Sequence, residues 1–444
     1  MIDLLPGLIG NNRKALAMNS KLIKGILLGV AALLVCGFAV YAIFFVKRGV
    51  VETDDGTYYY DFLGRAQTGM QTMPDKTVRY FDPETAKMAV GETVIDGSNY
   101  LFDGDGVMMY GHQQVNSVSK YFDLKTGKML TGWIDSEEGK YYSDDKGVCA
   151  SGLKEIEGKT YFFDKKSGLM VKGTVQDGDD TYGFDEKTGV ALDGIVEDSD
   201  GTKHGYTAGK MLKNCRAYEN KHLYYFDGDG KVCREIDGNK KMVALTYDDG
   251  PSTYTDTILD VYKEYGQKAT FFVVGDRLSW NESQAKREVE EGHQVGNHTY
   301  GHNVLSKLKE DKIKENLKKT DDELTKIAGK PTTYCRPPEG SYNKTVKAAV
   351  GCPIILWSVD SRDWESRNAD KVCAAIIGKV KDGDIILMHD LYKSTAEATK
   401  KIVPALVKDG FQLVTVQEMA IVKNDGVDLE NGVVYTRISG KSAE

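Results

Sequence analysis

Met242-Val-Ala-Leu-Thr-Tyr-Asp-Asp-Gly250 is the stretch whose reading decides the fold. Met242 to Tyr247 is a short β-rich run, and two adjacent carboxylates and a glycine follow it directly. In isolation Asp-Asp-Gly is the composition of an exposed turn. Placed after a strand this apolar, it reads instead as a pair of acids at the end of a buried strand.

Downstream, a helix is expected to begin near Ser252 or Thr253, with Ile258, Leu259, Tyr262 and Tyr265 on its apolar face and Gly266 at its end. A strand over residues 269–274, a polar helix closing at Gly292 and an extended run over 293–297 come next. Residues 305–328 read as a long charged helix, and strand-like runs recur at 333–336, 354–360, 384–388 and 412–416. Strands alternating with helices imply parallel pairing, so an α/β domain, expected as a barrel. Asp248 and Asp249, His298, Arg336, Asp360 and Asp363, and His389 and Asp390 all fall at or just after strand ends. In parallel barrels that is the active-site face.

His298-Thr-Tyr-Gly-His302 places two imidazoles four residues apart, which on a helical turn would face the same way. Alone the pattern arises by chance. Asp249 adds a carboxylate, and two histidines with one aspartate suit a divalent ion, zinc first and other transition metals next. With Asp249 committed to the ion, Asp248 is free to accept a proton from water.

Thr246-Tyr-Asp-Asp-Gly250, His298-Thr-Tyr-Gly-His302, Arg336-Pro-Pro-Glu-Gly340, Asp360-Ser-Arg-Asp-Trp364 and Leu387-Met-His-Asp390 resemble, in order and spacing, the motifs of polysaccharide deacetylases, carbohydrate esterase family 4. The resemblance covers residues 242–420 and implies a deformed (β/α) barrel and metal-dependent removal of acetyl groups from glycans. It implies Asp249, His298 and His302 as metal ligands, Asp248 as general base and His389 as general acid. It implies that Arg336 orients Asp248 and Asp363 tunes His389, while Trp364 and Leu387 line the acetyl pocket. Glu339 stands where many members carry an aromatic residue; its backbone N–H would still serve the oxyanion, and its side chain would face the substrate. His293 is read as structural.

Upstream of the catalytic part the chain repeats itself. Tyr60, Tyr80, Tyr100, Tyr121, Tyr141, Tyr161 and Tyr182 run alongside Gly106, Gly127, Gly147, Gly168 and Gly189 with a period of about 20 residues. Each unit reads as an aromatic strand, an acidic turn with glycine and a short apolar strand, a hairpin pattern that buries a core only by stacking on its neighbours. Residues 57–240 resemble the cell-wall-binding repeats of bacterial surface proteins, the choline- and glucan-binding type. A structural spacer, a wall or glycan binder and a choline binder are the three readings of this array, in which Trp133 is the only tryptophan. His112, His204 and His222 are expected in solvated turns.

Residues 25–46 carry no charged side chain and as a helix would span roughly 33 Å, enough for a hydrocarbon core of about 30 Å. Arg13, Lys14, Lys21 and Lys24 precede the run, and Lys47 and Arg48 follow it. That bias puts residues 1–24 in the cytoplasm and the bulk of the chain outside. A cleaved signal peptide is the rival, against which stand the length of the run and the lack of an A-x-A-like site.

The 444 residues are long for one domain, and a net charge of −8 gives no reason to invoke nucleic acid. Cys335 and Cys352 either pair or remain buried thiols. Residues 421–444 read as a tail with turns. The expected activity is deacetylation of a cell-wall glycan, with N-acetylglucosamine of peptidoglycan as first candidate. The alternatives are poly-N-acetylglucosamine or xylan as substrate, and a wall-binding surface protein with a vestigial barrel.

Overall fold

The computed structural model describes residues 9–44 and 46–440. Residues 1–8 of the expected cytoplasmic segment, residue 45 of the expected anchor and residues 441–444 of the expected tail lie outside the described residues. An α-helix runs from Ile9 to Phe44, and its Ser20–Tyr41 portion has a mean hydropathy of 2.4 with none of it buried. Its 22 residues correspond to roughly 33 Å, so this helix is long and apolar enough to cross a membrane.

The chain forms two compact units, one reaching to residue 173 and including 184–190, the other made of 174–183 and everything from 191. In the first unit six two-stranded antiparallel hairpins follow one another, from Gly49–Thr53 with Gly56–Tyr60 to Gly152–Ile156 with Lys159–Phe163. Their phase differs from the sequence reading. The Tyr-Phe strand is the second strand of each hairpin and pairs backwards, as in Gly111↔Phe122 and Gly152↔Phe163. Two-residue turns make this possible: Asp96-Gly97, Asn116-Ser117 and Glu157-Gly158 hold positive φ at both positions, the twist that a tight hairpin requires. The acidic turn beyond the Tyr-Phe strand closes only single bridges, such as Phe122↔Met129 and Phe163↔Met170. There the carboxylates of Asp123 and Asp164 accept backbone N–H groups two and three residues on.

Stacking supplies the core that one hairpin lacks. Met108 N–H donates to the Val78 carbonyl, Met129 to Asn99 and Met170 to Lys140, each at 2.8 Å. Phe81, Phe102, Phe122 and Phe163 are fully buried between neighbours. The histidines of the array sit on strands and not in solvated turns: His112 in Gly111–Val115, His204 in Lys203–Thr207 and His222 in His222–Phe226. A strand exposes only alternate side chains, so these imidazoles are partly covered by neighbouring units.

In the second unit a three-stranded sheet, Arg216–Glu219, His222–Phe226 and Val232–Asp237, packs Leu223 and Ile236 into a core with Met242, Val414 and Met419. Arg234 bridges to the buried Glu418 carboxylate from two nitrogens, at 3.2 and 3.3 Å. The α/β part centres on Met242–Asp248, flanked in parallel by Thr270–Val273 and Ile385–His389, with Gln294–Asn297 and Val359–Asp360 next outward. Cys335 bridges Asn297 and Ile354, so residues 354–360 meet both sides of the sheet.

Four elements are shorter than their sequence pattern, and the 354–360 run is two short strands, Ile354–Ile355 and Val359–Asp360. The 333–336 run is a single bridge residue, Cys335. The 412–416 run stops at Leu413 because Thr415 caps the helix Val416–Lys423 in a capping box with Glu418. The long charged helix is a 3-10 turn, Leu305–Lys307, followed by Glu310–Ala328 and ended by Gly329 at φ 71°. Cys335 lies buried in one apolar cluster with Cys352 against it, and both are free thiols.

Alternation along the central strand positions the chemistry. Val243, Leu245 and Tyr247 enter the core under the helices, whereas Met242 and Ala244 enter the opposite cluster. Thr246 and Asp248 continue that second face, since strand side chains alternate with period two.

Candidate active site

Asp248 ends its strand directly opposite His389, the parallel pairing putting the two residues in register. Its carboxylate is 3% exposed, and Oδ1 accepts from Arg336 Nη1 at 2.7 Å. Arg336 is wholly buried, with Nη1 also donating to Thr246 Oγ1 (2.6 Å), Nε to the Ile355 carbonyl (3.0 Å) and Nη2 to the Leu356 carbonyl (2.9 Å). Phe272 and Trp357 lie on its faces. A guanidinium locked by acceptors on every side holds one carboxylate in one place. Burial pushes the Asp248 carboxyl above its usual range, and the Arg336 charge pulls it back down.

The next residue turns away. Asp249 has φ 72°, a left-handed conformation that aspartate tolerates, and its carbonyl accepts from Arg277 Nη1. Its Oδ1 stands 3.4 Å from His298 Nε2 and 3.3 Å from His302 Nε2. The three ligand-type atoms lie within 4.8 Å of one another, and Asp249 Oδ1 is buried without a hydrogen-bond partner. His298 Nδ1 is engaged with the Arg336 carbonyl at 2.6 Å, which leaves Nε2 with its lone pair toward Asp249. Burial holds the His298 proton affinity down at about 3, so the ring is neutral. A carboxylate oxygen with no donor and two imidazole nitrogens beside it fit a divalent cation.

The histidine pair is not on a helical turn. Residues 298–302 form a loop with Thr299 and His302 at positive φ. Gly275 N–H donates to the Thr299 carbonyl and Asp276 N–H to the Tyr300 carbonyl, and Tyr300 N–H donates to Asn316 Oδ1. The spacing of four therefore brings the rings together, 5.1 Å apart, through a pinned loop and not through helical period.

On the other side, Asp363 is completely buried and all its acceptor positions are used. Oδ1 accepts from His389 Nδ1 (2.8 Å) and Trp364 N–H (2.9 Å); Oδ2 accepts from His389 N–H (2.7 Å) and Thr395 Oγ1 (2.6 Å). Burial disfavours the charge on His389, but the hydrogen bond and charge of Asp363, with Asp248 and Asp249 beyond, raise its pKa to about 9. Asp390, the next residue, is buried against Gly250 with its Oδ2 accepting from Thr255 Oγ1, and burial raises its pKa to about 7.

These groups open into one cleft of ≈ 410 Å³ lined by Asp248, Asp249, His298, His302, Glu339, Trp364, Leu387 and His389. Glu339 sits at φ 60° in the 3-10 turn Pro338–Gly340, exposed at the rim, and Trp364 is 47% exposed. Arg336 and Asp363 stand behind the lining. Trp357, Tyr392 and Asp360 also line the cleft, and Tyr392 carries the Arg367 guanidinium over its ring. The sequence reading passed over Trp357, Tyr392 and Thr395; for Tyr392 and Thr395 the one local signal is a position shortly after a strand-end histidine. His293 lies apart, edge-on to Tyr262 and Phe271, its Nδ1 accepting from Ala269 N–H at 3.0 Å.

Comparison with known proteins adds an independent line. A family model for polysaccharide deacetylase matches residues 235–352, and one for the choline-binding repeat matches 89–133 and 150–193. Asp363, Trp364, Leu387 and His389 fall beyond the first match. The chain is 42% identical over 180 residues to the peptidoglycan-N-acetylglucosamine deacetylase PgdA of Listeria monocytogenes, covering 40% of this chain and 39% of that one. It is 38% identical over 189 residues to the peptidoglycan-N-acetylmuramic acid deacetylase PdaC of Bacillus subtilis, covering 42% and 40%. The chain thus spans about two fifths of the length of these two relatives. A peptidoglycan-N-acetylglucosamine deacetylase of Bacillus cereus is 36% identical over 205 residues, 44% of this chain and 95% of the relative. With nearly the whole of that relative covered, the chain belongs to the polysaccharide deacetylase family.

Proposed function

We propose that the chain is a metal-dependent deacetylase of a cell-envelope glycan, with N-acetylglucosamine of peptidoglycan as its substrate. The observation that carries this reading is the meeting, in one cleft, of the Asp249, His298 and His302 ligand atoms with a buried carboxylate and a protonated-type histidine on adjacent strands. We read the parallel strands around Met242–Asp248 as a deformed (β/α) barrel whose strand ends form the site.

The reaction is hydrolysis of an amide: water adds to the acetyl carbon, the C–N bond breaks, and acetate and a free amine leave. Asp249, His298 and His302 hold a divalent ion, zinc by the donor set. When bound, that ion supplies Lewis acidity to the acetyl carbonyl and to the attacking water. Asp248 accepts the proton of that water, and its raised proton affinity suits it to the task. Arg336 keeps Asp248 pointed at the cleft. The Glu339 backbone N–H donates to the developing oxyanion. His389, kept protonated by Asp363, delivers its proton to the departing nitrogen. Leu387 and Trp364 enclose the acetyl methyl group, and the Glu339 side chain meets the sugar beyond it.

The apolar helix serves as a single-pass anchor, with the N-terminus cytoplasmic and the repeats and catalytic part outside, where a wall polymer is accessible. The choline-binding-type repeats support a wall partner. The test is acetate release from a panel of purified polymers that includes both N-acetylated amino sugars of peptidoglycan, with metal content measured in the same preparation. Asp248→Asn is expected to keep its metal and lose about 10²–10⁴-fold in rate. Undiminished turnover by that variant would remove Asp248 as the base; no acetate from any peptidoglycan substrate would remove the proposed function.

A further inference from the structure

Along the array a methionine lies against the turn glycine of a later unit: Met88 on Gly106, Met108 on Gly127, Met129 on Gly147 and Met170 on Gly189. Gly168 breaks the series. The matching position is Cys149, whose shorter side chain turns toward Ser143 Oγ (3.3 Å) in a cluster with Tyr121, Ile134 and Tyr141. What lies against Gly168 is the His112 imidazole and the Tyr141 ring.

A cleft of ≈ 400 Å³ opens at this irregularity, within the size range of small-molecule sites. Its wall is aromatic: Tyr141 stacks on His112 with centroids 5.2 Å apart and lies 5.0 Å from Tyr121. Its rim is acidic, with Glu137 and Glu138 lining it and Tyr141 OH donating to Glu138 Oε2 at 3.3 Å. Among the described lining residues none is lysine or arginine. His112 Nε2 is buried against Gly168 without a hydrogen-bond partner, so the imidazole meets the cleft with its ring and not with this nitrogen.

These features select a ligand. The Glu137 and Glu138 carboxylates, with Ser136 and Ser167 beside them, call for a cation that carries N–H and O–H groups. A quaternary ammonium has none and is held instead by aromatic faces alone, tryptophan best. Trp133 is not in this cleft; it stands edge-on to Tyr142 and Tyr161. A primary ammonium on a pyranose satisfies both parts, the ring against Tyr141 and Tyr121 and the three N–H donors toward Glu137 and Glu138. We propose that this cleft binds an amino sugar with a free ammonium group, the chemical class that de-N-acetylation of a glycan releases into the polymer. Its reading as the enzyme's own product rests on the function proposed above. The array then retains the protein on wall that it has already processed.

The experiment is calorimetric titration of the full chain with fully de-N-acetylated glucosamine oligomers, with acetate release from a short soluble substrate measured on the same preparations. Glu138→Gln changes an exposed rim carboxylate, and His112→Phe fills the cleft; each is expected to weaken oligomer binding at least tenfold while leaving acetate release unchanged. Wild-type binding should also fail once pH is raised enough to deprotonate the amine. Both variants binding like the wild type, or choline displacing the oligomer at lower concentration than free glucosamine does, would overturn the proposal. Oligomer binding without any acetate release would leave this site standing and refute only the proposed function; acetate release without oligomer binding would do the reverse.

Discussion

Replacing Asp363 by asparagine should strip His389 of its proton near neutral pH. In the wild type the imidazole is raised to about 9, against an ordinary value near 6.5. Burial works in the opposite direction and Asp248 and Asp249 supply the rest of the upward pull, so without the Asp363 charge and hydrogen bond the value should fall well below 9, toward 6.5. A full return from about 9 to the ordinary value would correspond to roughly 3 kcal/mol between the two protonation states. At pH 8 the wild-type ring is protonated by about ten to one, while a ring returned to 6.5 carries the proton in about one molecule in thirty. The variant also loses a bond that the amide cannot replace. His389 N–H donates to Asp363 Oδ2, and an NH2 group there faces it with donors. That orphaned N–H costs about 1–3 kcal/mol of stability.

The assay is NMR titration of the His389 ring in chelator-treated protein, beside the pH dependence of acetate release in the metal-loaded enzyme. Linkage gives a second readout. A folded-state pKa above the unfolded one contributes stability that is complete below about 6.5 and lost as pH rises through about 9. The wild-type melting temperature should therefore fall across that window, and the slope should vanish in Asp363→Asn. A variant ring that still titrates near 9 would refute the reasoning, and would assign the proton's retention to Asp248 and Asp249.

Arg336→Ala leaves the Asp248 carboxylate buried without its partner and should cost about 3–5 kcal/mol in urea unfolding. His302→Ala should abolish stoichiometric divalent metal in elemental analysis yet shift stability by no more than about 0.5 kcal/mol, because that side chain is 42% exposed. His298→Ala should lose both metal and stability, since it also deprives the Arg336 carbonyl of its partner. In the array, Gly127→Ala places a Cβ at φ 69° and against Met108, and calorimetry should show that unit destabilised by about 1–2 kcal/mol or more.

Much of the catalytic part was legible from local chemistry. The apolar run at Met242 marked the central strand, and the polar residues at strand ends marked the face of the sheet that bears the site. Turn composition and apolar period act over a few residues, so they survive in the bare sequence. The repeat period was legible for the same reason, but its hairpin phase was not. Both candidate turns of each unit satisfy the same composition rule, and only the positive φ pairs at Asp96-Gly97 and Asn116-Ser117 decide which one closes the hairpin.

The identity of the ligand-type residues Asp249, His298 and His302 came from the sequence; their convergence came from a pinned loop that no helical spacing predicts. Arg336 meets Asp248 across 88 residues, and Asp363 meets His389 across 26. Such pairs depend on which strands become neighbours in the sheet, a choice made by burial of whole faces and not by any local pattern. The sequence by itself determined the chemical groups available to this protein and the strand ends that carry them. The tertiary structure alone decided which carboxylate is locked by an arginine, which histidine holds its proton and where the repeat array leaves an open cleft, because each depends on desolvation and contact between distant segments.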